Sequence, residues 1–359
     1  MKYKCKDVFM IRTPTLPIDN LSELLIKDDI SEFVSDESVY GFLNESLLVS
    51  SKSLQKSLNT NIKNKKKEKF YNLSLLKYIT RASARPTPYG LFAGVALGKF
   101  IDCEEEELII IDESKCIRDA KVDTYWICHL IHELEKNYEV LSKLRLQFNT
   151  ICYRYGDRMK NPYFSNHGSI DNLKNYVEEN NIKYSPLIDI IKENSKSFIA
   201  YKELKSKICE SYEGVPEHII DNTLAMLVEN EYLLTDLRLP AYCNDSLGHV
   251  IQKLENNKKI EDLANDLKKL KRLIDVYNKS TAYVEDVEII ENIYEIMEKL
   301  HTTKDYMEVN RGLVLEKNNL PMSLKKKIED FVNVFCDFYI DSEDYSKLDK
   351  FISEFSEQY

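Results

Sequence analysis

Ten consecutive residues, Arg81-Ala82-Ser83-Ala84-Arg85-Pro86-Thr87-Pro88-Tyr89-Gly90, hold the densest chemistry in the chain. Two arginines four apart lie on one face of a helix end, and the prolines then impose an extended segment that presents the Thr87 hydroxyl nearby. A guanidinium is the preferred fork for phosphate or carboxylate, so this arrangement suits an anion at a preformed corner. A second reading stays open, in which both arginines only complement the negative end of the helix.

The lysines before this corner extend the theme. Between residues 51 and 85 the chain carries Lys52, Lys56, Lys63, Lys65, Lys66, Lys67, Lys69, Lys77, Arg81 and Arg85 against a single acid, Glu68. The whole chain has 50 basic and 60 acidic residues, a net charge of −10, which argues against general nucleic-acid affinity. A local excess of cations in an acidic protein is what a phosphate backbone selects, and Lys63, Lys65, Lys66, Lys67 and Lys69 form the candidate RNA patch. The competing reading is a solvated run that keeps the protein soluble.

Other constellations are weaker. Asp123 precedes a helical stretch and reads as its N-cap. His129 and His132 sit three apart without carboxylates at ligand spacing, so no metal site is expected. The eight cysteines, at 5, 103, 116, 128, 152, 209, 243 and 336, form no C-x-x-C pair and read as reduced, mostly buried thiols. P-loop, G-x-S-x-G and H-E-x-x-H motifs are all missing.

These groups need elements to hold them. At 359 residues, with roughly 150 per domain, the chain holds two or three domains. Val8 to Ile11 reads as a buried strand closed by Arg12 and Pro14. Residues 20–60 read as helical, and Lys66 to Ala84 as a helix whose apolar face is Phe70, Leu73, Leu76 and Ile79, ending before Pro86. Gly94 to Phe100 and Leu108 to Ile111 read as strands, Tyr125 to Leu134 as an amphipathic helix. Only nine residues are glycine, yet Gly90, Gly94 and Gly98 fall together. Three glycines would cost a helix roughly 3 kcal/mol, so this spacing indicates a turn and then a closely packed strand.

Residues 183–240 show three short helices, Pro186 to Ile191, Tyr201 to Cys209 and Pro216 to Val228, followed by a hairpin opening with Tyr232-Leu233-Leu234. That order outlines a winged helix. Its third helix contains no Lys or Arg, which disfavours DNA in a major groove and favours a peptide that adds a strand to a sheet edge. Helices near 258–278 and 286–300, a strand from Tyr306 to Leu315 and a helix from Pro321 complete the outline. No apolar run reaches the roughly 18 residues of a membrane span, and the N-terminus lacks the features of a signal peptide, so the expectation is a cytoplasmic protein, with a peripheral place on a membrane-associated complex allowed.

The signature Arg81 to Gly94-Val95, with the opening Phe9 to Pro14, Lys121 to Trp126 and Leu237 to Pro240, resembles the lantibiotic dehydratase N-terminal (glutamylation) domain. The resemblance implies an α+β fold. Residues 1–139 would form the first part of a mixed glutamylation-type domain, 140–240 an inserted winged-helix leader-peptide recognition element, and 241–359 an incomplete, largely helical continuation. It implies transfer of glutamate from glutamyl-tRNA, as co-substrate without a further cofactor, to Ser or Thr hydroxyls of a ribosomally made precursor peptide. Arg12, Arg81, Arg85, Thr87 and Asp123 fall on the family's glutamylation positions. The arginines are expected at the phosphate or ribose end of the aminoacyl-tRNA or on the glutamyl carboxylate, and Asp123 is expected to orient or deprotonate the acceptor hydroxyl. Partners implied are the precursor leader, glutamyl-tRNA, a separately encoded remainder of the dehydratase and a second copy of the chain, but no DNA. Two departures accompany the resemblance: Asn310 stands where an aspartate is expected, and the elimination domain is absent. The alternative they leave is a leader-peptide-binding module without catalytic activity.

Overall fold

The structure is a computed structural model, and it describes all residues except 1–2, 28–29, 61–63, 103–108, 166–177, 212–213, 256–259, 281–285 and 340–359. The chain divides into two compact units, each discontinuous in sequence. One comprises Met1–Tyr40, Ser57–Arg118 and Asn310–Tyr359, the other Gly41–Lys56 and Asp119–Val309.

The first unit is built on a four-stranded sheet. Strand β1 (Val8–Pro14) alternates exposed and half-buried side chains and pairs antiparallel with β2 (Ala93–Ile101), Met10 opposite Leu97 and Arg12 opposite Val95. Strand β3 (Ile109–Val122) and the last strand, β10 (Met307–Pro321), complete the order β1-β2-β10-β3. β10 runs parallel to β2, with Arg311 beside Gly94.

The close packing expected of the glycines is real. A Cβ on Gly94 would lie 2.3 Å from Leu313 Cδ2, and one on Gly98 2.2 Å from the Phe9 ring and 2.7 Å from the Asn318 carbonyl oxygen. Gly90 turns with φ +55°, a region that costs other residues energy.

Helices α1 (Ile18–Lys27) and α2 (Ile30–Val34) precede α5 (Lys65–Ala84), which supplies the arginine corner. The Asn64 side chain caps α5 by accepting from the Lys66 and Lys67 N–H groups, and Arg85 N–H closes its last turn on Arg81 O at 3.1 Å. The buried stripe of α5 differs from the expected one: it is Leu75, Ile79 and Ala82, whereas Phe70 is 61% and Leu73 48% exposed. A three-residue repeat drifts around a helix of 3.6 residues per turn, while spacings of four and three hold one face. The final helix, α14 (Met322–Tyr339), is tied by Lys325 to Asp7 at 2.6 Å and by Glu329 accepting the Cys5 N–H.

The second unit begins with most of α3 (Glu37–Ser50) and of α4 (Lys52–Leu58). Within it, α3 buries Leu43 and Leu47, and its buried Glu45 accepts the Tyr277 hydroxyl at 2.7 Å. Helix α6 (Thr124–Lys136) leads through α7 (Tyr138–Leu141) to β4 (Arg145–Phe148). Strands β5 (Tyr153–Tyr155), β6 (Arg158–Phe164) and β7 (Glu178–Lys183) form an antiparallel sheet in that order.

The three expected helices then appear as α8 (Pro186–Asn194), α9 (Tyr201–Ser211) and α10 (Glu217–Glu229). The expected hairpin after α10 does not. Strand β9 (Leu233–Thr235) pairs instead with β4, in a sheet of order β8-β4-β9 that includes β8 (Ile199–Ala200). The turn at Asp236 sends the chain to Pro240 rather than back along β9, so the partner is recruited some 90 residues upstream. A single buried cluster, including Leu146, Ile191, Tyr201, Leu224 and Tyr232, joins these elements. Helices α11 (Ser246–Leu254), α12 (Glu261–Lys279) and α13 (Asp286–Leu300) finish the unit, α12 burying Leu267, Leu270, Ile274 and Tyr277 along one stripe.

Candidate functional site

In the first unit α5 ends in a depression of about 530 Å³ that includes Lys77, Arg81, Arg85 and Tyr89 in its lining. Arg81 lays its guanidinium over the Tyr89 ring, 4.5 Å from the centroid, and its Nε is buried without a hydrogen-bond partner. Stacking fixes the plane of the guanidinium while leaving its donors to a ligand. Arg85 is exposed at the helix C-cap. Among the described residues three cations and no acid line this depression, so its chemistry is that of an anion receptor.

The other expected residues of this unit are placed separately. Thr87 is exposed in the extended segment between the prolines, outside the ring of lining residues. Arg12 is exposed on β1, its Nε donating to Met10 Sδ at 3.0 Å. Of the candidate RNA patch, Lys65, Lys66, Lys67 and Lys69 are exposed on the first turns of α5, and Lys63 lies outside the described residues. Lys52, counted with them in the sequence, is engaged in the second unit by Glu298 at 2.8 Å.

Asp123 belongs to the second unit, where it does cap α6. Its Oδ1 accepts from Tyr125 N at 2.8 Å and Trp126 N at 3.1 Å, and no hydrogen bond engages Oδ2 among the described residues. One oxygen thus holds the helix, while the other remains an available acceptor in the cavity wall. The carboxylate lines a cavity of about 610 Å³ together with Tyr125, Cys128, His132 and Arg238. Desolvation by its neighbours raises the Cys128 thiol above its ordinary value, although the residue is exposed at the cavity wall.

Part of this cavity's wall is a charge network that sequence reasoning missed. Arg238 donates Nε to Glu135 Oε1 at 2.9 Å, Nη2 to Glu135 Oε2 at 3.0 Å and Nη1 to Glu231 Oε1 at 3.2 Å. Thr235 Oγ1 adds 2.6 Å to Glu135, and Ser165 donates its N–H at 2.9 Å and its hydroxyl to Glu231. Burial works against the guanidinium's charge, but Glu135 and then Glu231 outweigh it and hold Arg238 cationic. Glu231 pays for its place with a φ of +58° in the turn between α10 and β9. Nothing in the spacing of residues 135, 231 and 238 signals this cluster.

Asn310 is half-buried in β10. The region 140–240 presents two short sheets: one ends on β9, the other on β7, whose Asn180 amide donates to Asn230 at the end of α10 at 2.6 Å. Tyr153, Tyr155 and Tyr163 are exposed on the β5-β6-β7 sheet.

Residues 42–359 match the family model described as lantibiotic dehydratase, N terminus. Over 366 aligned residues the chain is 28% identical to the subtilin biosynthesis protein SpaB of Bacillus subtilis, covering 99% of this chain and 34% of SpaB. Among solved structures, the tRNA dependent lantibiotic dehydratase MibB from Microbispora sp. 107891 matches with a TM-score of 0.76 at 21% identity, covering 92% of this chain and 31% of MibB. The glutamylation domain TbtB from thiomuracin biosynthesis, bound to 5'-phosphodesmethylglutamycin, matches with a TM-score of 0.58 at 12% identity, over 83% of this chain and 35% of TbtB. The chain spans about a third of the length of these proteins.

Proposed function

Because this chain belongs to the lantibiotic dehydratase N-terminal family, we propose that it contributes to glutamyl transfer from glutamyl-tRNA to Ser and Thr hydroxyls of a precursor peptide, acting with the remainder of a dehydratase. The arginine depression carries this reading. Arg81, with an unpartnered buried Nε, and Arg85 beside it are the groups we assign to the phosphate or carboxylate of the aminoacyl end, where fixed donors orient the ester. Asp123 Oδ2 is assigned to the acceptor hydroxyl, whereas Arg12 and Thr87, which belong to the first unit, are assigned with Arg81 and Arg85 to the glutamyl-tRNA side of the reaction. The bound compound of TbtB, named as a phosphorylated glutamycin analogue, supports the choice of ligand chemistry without fixing a pose.

Leader recognition is assigned to the edge of β7 beside α10, which no strand among the described residues pairs. Six residues of edge, Glu178–Lys183, offer a longer backbone ladder than the three of β9, and α10 carries no cation that would call for nucleic acid instead. A chain that binds leader without transferring glutamate is the second reading, favoured by Asn310 in the place of an expected aspartate.

The deciding measurement is mass-spectrometric detection of glutamyl esters on a precursor peptide incubated with glutamyl-tRNA. Arg81→Ala and Arg85→Ala are each expected to lower the rate on the order of 100-fold or more, the usual loss for a fixed donor to developing or bound negative charge. Unchanged rates would refute the site. Absence of transfer by the parent protein, with leader binding intact, would favour the second reading.

A further inference from the structure

The first unit has another depression, about 340 Å³ in volume, formed around the opposite flank of the lysine tract. Small-ligand sites occupy roughly 300–1,000 Å³, so this one has room for a single nucleotide-sized group. Its lining includes Ser31, Ser35 and Tyr40 together with Glu68, Tyr71 and Asn72 of α5. Tyr40 donates its hydroxyl to Asn59 Oδ1 at 2.5 Å, which fixes its ring. Tyr71 is half-buried, and burial first, then the neighbouring Tyr40, raises its phenol above the ordinary value. Two aromatic rings therefore share one polar depression.

Helical geometry places the cations around it. Glu68, Tyr71 and Asn72, at i, i+3 and i+4, share a stripe of α5; Lys65 and Lys69 flank that stripe on one side and Lys67 on the other. All three lysines are exposed, and none forms an ion pair among the described residues. Among the described residues the lining holds no cation, and its one charge is Glu68, the only acid between residues 51 and 85. A free phosphate would meet that carboxylate with no lining cation to offset it. A ligand with a neutral, amine-bearing ring inside and phosphates outside matches every group, and a polynucleotide is that ligand.

We propose that this depression holds one unstacked base of a single-stranded RNA segment, its flanking phosphates on Lys65, Lys67 and Lys69. Tyr71 and Tyr40 supply ring faces for stacking, Asn72 and the serine hydroxyls read polar edges, and Glu68 accepts from an exocyclic amine. The proposal rests on the glutamyl-tRNA reading only for the source of the RNA.

Fluorescence anisotropy with a labelled, unstructured 12-nucleotide RNA tests it across a salt series. Tyr71→Ala is expected to weaken binding about tenfold, the middle of the range for losing one base–aromatic stack, without changing the slope of log K against log salt. Tyr71→Phe should retain the affinity. Ser35→Phe, which fills the depression from an exposed position, should weaken binding like Tyr71→Ala at an unchanged melting temperature. Lys67→Gln with Lys69→Gln should instead flatten the slope, by about 0.7 per lysine for a single strand. Parent-like affinity in both Tyr71→Ala and Ser35→Phe would overturn the proposal, as would displacement of the RNA by AMP at the RNA's own affinity. The effect of Arg81→Ala on glutamyl transfer is measured separately, so failure here leaves that reading standing.

Discussion

At Gly98 the hydrogen side chain is a packing requirement. The Phe9 ring could rotate away from an added Cβ, but the Asn318 carbonyl oxygen, 2.7 Å from it, is backbone and cannot. Gly98→Ala is therefore expected to lose about 1–3 kcal/mol, the usual cost of overpacking a well-filled site, read as a shifted urea midpoint. Gly94→Ala should cost less, because Leu313 is the obstacle there and a side chain can repack. The sequence disclosed both positions through the scarcity of glycine elsewhere. Tyr89, by contrast, gave no sign of its role: an aromatic next to a glycine reads as turn filler, and only the fold puts its face under Arg81. Asp123 shows a third outcome, since its capping role and its place in a cavity wall use different oxygens, and single-residue reasoning had set the two against each other.

Among the elements, those with local determinants were legible and those joined by distant pairing were not. Pro86 ends α5 at Ala84, where the sequence reading put its end, and the Asn64 cap starts it one residue before the Lys66 of that reading, although the buried stripe was misread. The strand after α10 was foreseen too, but its partner β4 was not, because hydrogen-bond pairing across 87 or so residues leaves no periodicity in either strand. The β5-β6-β7 sheet, absent from the sequence reading, carries the edge proposed for the leader. If the leader adds to the edge of β7, main-chain hydrogen bonds carry the affinity. Leader peptides N-methylated at alternate residues should then separate into two sets, one binding as tightly as the parent and the other much more weakly. Calorimetry that found both sets equal would remove the strand-addition model.

For the molecule as a whole, the buried cluster of the second unit sets an alkaline limit. Burial pushes Cys152, with a further push from Glu231, and Tyr232 each up to about 12, and Tyr232 donates its hydroxyl to Met159 O and Asn180 O, both at 3.1 Å. Between the ordinary ranges of these groups, near 8.5 for a thiol and 10 for a phenol, and about 12, the unfolded chain has lost protons that the folded chain keeps. The unfolded state then binds fewer protons, so stability falls as pH rises through that window and is fully present below it. Urea midpoints taken from pH 8 to 11 should decline, and Cys152→Ala should flatten the decline; a constant midpoint would contradict the assignment.

Net charge illustrates the limit of counting along a chain. The sequence by itself determined where helices start and stop, which corner carries arginine and glycine together, and the family to which that signature belongs, since torsional preferences, caps and contiguous motifs act over a few residues. Tertiary structure alone decided that Lys52 is spent on Glu298, that Arg238 joins Glu135 and Glu231, and that Arg81 rests on Tyr89 with an open donor. Such partners meet only after long loops are closed, and the energy that closes them comes from burial of the whole core rather than from the residues that meet.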